Sequence, residues 1–201
     1  MILTTIQLAI LILLPVLLYY RRVDLRIPQI VLFIAIVYVI WYATYSALHE
    51  LWHLLPLVVM NERIIDIQLF PHFLQGELSG GHITTQYSSV RNEFVTVVFP
   101  YLIDILLAIL GAVVLTKLVP RPRPLIFGLM LTVFVTSPLF DVVNNYVAFV
   151  IGSKNDFNAM GYTTSVATAH AIGIIGTIVT LGASSLTLWW ALRKPALALP
   201  A

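Results

Sequence analysis

Five long apolar stretches, at 2–20, 28–55, 94–118, 125–151 and 165–192, leave this chain few ways to fold. A helix rises 1.5 Å per residue, so each stretch reaches across about 30 Å of hydrocarbon. Sixty per cent of the 201 residues are hydrophobic and only 10% are charged. A soluble domain carries about 25% charged residues, enough to coat its core, and this chain does not. The sequence therefore predicts an all-α, polytopic, multi-pass integral membrane protein with five or six transmembrane helices. Its length suits one membrane-embedded domain over 1–201, with a core at 28–151. The first stretch lacks a basic start and a small-residue cleavage site, so it is read as a retained helix rather than a signal peptide.

The connections are short, with one exception. Arg21–Arg26 links the first two stretches, and Val119–Pro124 links the third and fourth, where prolines forbid helix. The segment 61–92 is long and polar. It holds Ile64–Phe70, then Gly76, Gly80 and Gly81, then His82–Tyr87. β-branched and aromatic residues around glycines predict a short β-hairpin-like, membrane-associated segment after the second helix. An open sheet edge cannot face lipid, so this segment belongs at the interface or against the helices.

Charge excludes some roles and orients the chain. The formal net charge is +2, with no basic run, so nucleic acid is not an expected partner. With five crossings, Arg21, Arg22, Arg26, Lys117, Arg121, Arg123, Arg193 and Lys194 share one side. Arg63, Arg91 and Lys154 share the other. Eight against three puts the first side in the cytoplasm and the N-terminus outside. There is no cysteine, so a metal site here uses nitrogen and oxygen ligands.

The second stretch ends in His49-Glu50-Leu51-Trp52-His53. Residues four apart share a helical face, so His49 and His53 can grip one zinc ion, and Glu50 beside them can act as the base on water. Chance or an interfacial snorkelling cluster is the bland reading. Three ionisable groups in the last third of an apolar stretch favour function, because such groups are costly in a membrane. Pro56 is expected to end or kink the helix just after the motif.

A catalytic zinc usually has three protein ligands. The favoured third ligand is Asp141, in Ser137-Pro138-Leu139-Phe140-Asp141, with Asn144 and Asn145 following on the same helical face. Those asparagines are candidates to hold substrate or an oxyanion. Asp104 reads as a packing or interfacial acid, Asp156 as a cap, His170 as a packed histidine, and His72 and His82 as loop histidines.

These motifs resemble the site-2 protease family of intramembrane zinc metalloproteases. The resemblance runs from the His49–His53 motif through the β-prone, glycine-containing segment to Pro138 and Asp141, and covers 28–145. It departs at Trp52, where the family has a small residue, and at Val142, where it has glycine. The resemblance implies zinc held by His49, His53 and Asp141, water activated by Glu50, and hydrolysis of membrane-spanning or membrane-proximal peptide substrates within the lipid bilayer. It also implies zinc near the cytosolic face, whereas the charge count places His49 toward the outside. The rivals are a non-catalytic metal-binding membrane protein and another class of membrane zincin.

Overall fold

The computed structural model describes residues 2–23, 25–70, 81–118 and 124–193. Among these, five helices are long and apolar enough to cross a membrane: α1 (Ile2–Arg22), α2 (Ile27–Val59), α3 (Val90–Lys117), α4 (Pro124–Val150) and α6 (Val166–Arg193). A short helix, α5 (Asp156–Thr163), lies between α4 and α6 in sequence. Strands β1 (Arg63–Gln68) and β2 (His82–Gln86) pair antiparallel in the predicted segment. The all-α architecture with one small sheet is thus the observed one. The hairpin's tip and most of the Val119–Pro124 connection lie outside the described residues, as does His72.

The chain divides into two compact units. The first comprises 1–41, 104–144 and 176–201. Its centre is apolar, with Tyr20, Phe127, Leu115 and Leu131 buried together. Close helix approach is bought with small residues: a Cβ at Gly111 would meet the Phe134 carbonyl oxygen at 2.7 Å. Trp41 Nε1 donates to Ser137 Oγ at 2.9 Å, satisfying a donor that hydrocarbon would leave unpaired. Prolines 15 and 138 each follow a widened, π-type turn, at Ala9–Leu13 and Thr132–Thr136. A proline lacks the N–H that would continue the ladder and crowds the preceding turn, and widening relieves both.

The second unit comprises 42–103 and 145–175. Within it α2 runs through Pro56 to Val59, so of the expected end or kink the end comes three residues later. Pro56 deletes one ladder bond, while Leu57 just beyond it is fully buried and holds the last turn in place. The helix closes at Asn61, whose φ of 56° is left-handed, a conformation asparagine tolerates. Glu62 N–H then donates to Leu57 O at 2.9 Å.

Glu62 ties the root of the hairpin to α3. Its carboxylate accepts from Ser88 N–H at 2.7 Å, and from Ser88 Oγ and Asn92 Nδ2, each at 2.5 Å. The Ser88 and Asn92 side-chain bonds, followed by the Ser88 backbone bond, hold its carboxyl below the usual range. β1 carries a bulge between Ile64 and Asp66. Both strands are otherwise in the register Ile67↔Ile83 and Gln68↔His82.

Candidate metal centre

Within the second unit, His49, His53 and Asp156 converge. The Nε2 atoms of the two histidines stand 3.1 Å apart. Asp156 Oδ2 is 3.2 Å from His53 Nε2 and 3.4 Å from His49 Nε2. An ion bound tetrahedrally at about 2.05 Å from each donor needs donors about 3.3 Å apart. The three separations match that requirement, so the residues present fit zinc.

The proton inventory points the same way. His53 Nδ1 lies 2.9 Å from the Thr96 carbonyl oxygen, which can only accept. That nitrogen therefore carries a proton, and the ring turns Nε2 into the cluster. Two imidazole nitrogens and a carboxylate oxygen then face one another at contact distance, and a divalent metal would engage all three at once.

The acid that converges with the two histidines within the second unit is Asp156. Asp141 sits buried on α4 in the first unit, as Asp104 does on α3. Asp156 was assigned a capping role, but Asn155 performs it. Asn155 Oδ1 accepts from Phe157 N–H at 3.1 Å, and Asn155 N–H donates to Asn158 Oδ1 at 2.9 Å. This reciprocal box starts α5 and leaves the Asp156 carboxylate free to turn toward the histidines.

Three further contacts fix Asp156. Tyr101 Oη, on α3, donates to Oδ2 at 2.9 Å. The buried Phe157 ring stacks beside Tyr101, with centroids 4.7 Å apart. Asn155 Nδ2 donates to the Asn145 carbonyl oxygen at 2.6 Å. Burial pushes the Asp156 carboxyl up, but charge from His53, then hydrogen bonds from both histidines, outweigh it and hold it well below the usual range. Of the two candidate substrate residues, Asn145 thus meets the centre at one remove, through its backbone. Asn144 belongs to the first unit.

Glu50, buried on α2, lies against the hairpin. A Cβ placed on Gly81 would come within 2.8 Å of Glu50 Cγ and 2.9 Å of the Leu69 carbonyl oxygen. Ser46, one turn before Glu50, holds both hairpin arms: its hydroxyl donates to Leu69 O at 3.3 Å and accepts from Gly81 N–H. Nearby, burial pushes the Tyr87 phenol up to about 12, helped by Glu93, Asp156 and Glu62, so it stays protonated. His170 on α6 has its own partner, Tyr146 Oη at 3.0 Å, as a packed histidine should.

No protein-family model, curated protein or solved structure matches this chain.

Proposed function

We propose that this chain is a multi-pass membrane zinc endopeptidase, a divergent relative of the site-2 proteases, acting on membrane-spanning or membrane-proximal peptides. The observation that carries the reading is the convergence of His49, His53 and Asp156 at tetrahedral spacing, with Glu50 next to His49 on the same helix. A site that only stores metal needs the ligands and has no use for a buried carboxylate beside them.

His49, His53 and Asp156 would hold zinc, and Tyr101 and Thr96 would orient Asp156 and His53. Bound zinc supplies Lewis acidity, which acidifies water and polarises a carbonyl. Glu50 accepts a proton from the attacking water at a carboxylate oxygen. It returns that proton to the amide nitrogen as the C–N bond breaks. Burial keeps Glu50 among few competing waters and strengthens its interaction with that water.

An intact substrate helix hides its carbonyls in its own hydrogen bonds, so the segment to be cut must be extended. Among the described residues the sheet has two strands, and β1 pairs with β2 on one side. Its other edge offers backbone groups to an extended peptide, and Ser46 ties the hairpin to the helix that carries Glu50.

Purified protein would be tested on a transmembrane peptide after stripping with a chelator and after restoring zinc. Cleavage lost on stripping and recovered with about one zinc per chain supports the reading. Cleavage indifferent to metal refutes it.

A further inference from the structure

His82 was read as a loop histidine, but the fold gives it a partner and a place. It opens β2 directly after Gly81, the residue packed on Glu50. The register Gln68↔His82 puts Asp66 diagonally across on the same sheet face. His82 Nε2 lies 3.2 Å from Asp66 Oδ2. A carboxylate only accepts, so Nε2 is the donor and Nδ1 is left for a second partner.

Ser46 anchors this end of the hairpin to the helical face that carries Glu50. His82 follows directly on Gly81, so it belongs to the hairpin arm that packs against Glu50. The pair is solvent-exposed, with His82 53% and Asp66 64% accessible, so a bound peptide can reach it.

We propose that His82, oriented by Asp66, is a further catalytic residue: it donates a hydrogen bond from Nδ1 to the scissile carbonyl oxygen as that oxygen gains charge. The proposal rests on the peptidase reading. His82 acts as the imidazolium, bonded at Nε2 to Asp66, and keeps its protons throughout. Water gives its oxygen and one hydrogen to the acyl carbon. Its other proton passes through Glu50 to the amide nitrogen, and the C–N bond breaks. A fixed donor aimed at developing charge is worth about 10²–10³ in kcat in such sites.

The test uses the full-length zinc protein, a transmembrane peptide substrate and a phosphinic peptide that mimics the tetrahedral state. His82→Phe fills the space without a donor. It should lower kcat by about 10²–10³-fold, leave KM within about twofold, and keep one zinc per chain. Phosphinate affinity, measured by equilibrium binding, should fall by the same factor as kcat/KM. Asp66→Asn should move both in the same direction by less. Unchanged cleavage and phosphinate affinity in His82→Phe overturn the proposal, as does lost cleavage with unchanged phosphinate affinity. An inactive Glu50→Gln beside a fully active His82→Phe overturns this inference and leaves the peptidase reading standing. A wild-type protein that binds neither zinc nor phosphinate overturns both.

Discussion

Replacing Asp156 with asparagine keeps the side chain's size and removes its charge. Two of the three donor–donor separations in the centre, 3.2 and 3.4 Å, end on Asp156 Oδ2. The substitution therefore takes away one of three ligands and the only anion among them. Losing a residue that merely orients a ligand costs about 10–100-fold in metal affinity. Losing the ligand itself should exceed that range, so zinc affinity falls by more than about 100-fold. At 1.4 kcal/mol per tenfold this is more than about 2.8 kcal/mol. Competition against a chromogenic chelator reads the constant directly. Asp141→Asn is the comparison, since it removes the rival acid, and with Asp156 as the ligand its zinc affinity should stay within about twofold of wild type. The reverse pattern, with zinc lost in Asp141→Asn and kept in Asp156→Asn, would refute the assignment and restore the ligand that the family resemblance implies.

Other outcomes follow from the same contacts. Tyr101→Phe removes the 2.9 Å bond to Asp156 and should weaken zinc by about 10–100-fold, measured by the same competition. Gly81→Ala sets a methyl against the Gln68 and Leu69 carbonyl oxygens and Glu50 Cγ; it should keep zinc while slowing cleavage by about 100-fold, since misplacement near 1 Å costs that much. Glu62 has its carboxyl held low, so its stabilisation is present above the usual glutamate range and is lost as pH falls through the lowered value. Thermal midpoints of wild type and Glu62→Gln should therefore differ at neutral pH and converge in acid; a constant gap would contradict this. Single cysteines at Arg121 and Ser79 test orientation with an impermeant thiol reagent, since the chain has no native cysteine. The charge asymmetry predicts labelling from outside at Ser79 alone, and labelling at Arg121 alone would reverse the topology.

The apolar stretches were legible because the bilayer imposes length and hydropathy on every crossing, and the helices match them to within a few residues at each end. The His49–His53 pair was legible because a four-residue spacing on a helix is local geometry. The hairpin was legible from β-branched residues around glycine, and Ile64–Gln68 and His82–Gln86 pair as expected. Asp156 was not. Asn155 and Asp156 are both capping residues, and sequence alone does not say which one takes the cap. Asn158, three residues after Asn155, was the missed signal: it completes a reciprocal box that only Asn155 can start. Asp141 drew the assignment because it sits in an apolar stretch beside Pro138, where a buried acid looks functional. Its burial is real, and which acids converge on the histidines depends on tertiary placement, which no local pattern encodes. α2 continues three residues past Pro56, since burial of Leu57 outweighs one missing hydrogen bond.

The central claim is that Glu50 is the proton-transferring base of a zinc peptidase rather than a neighbour of a storage site. Glu50→Gln keeps the side chain's shape and leaves the three proposed ligands, His49, His53 and Asp156, unchanged. One measurement decides it: cleavage of a transmembrane peptide by zinc-loaded Glu50→Gln, with metal content determined on the same preparation. The account predicts about one zinc per chain and a rate lowered by at least about 10²–10⁴-fold. Wild-type cleavage by a fully loaded Glu50→Gln would contradict it.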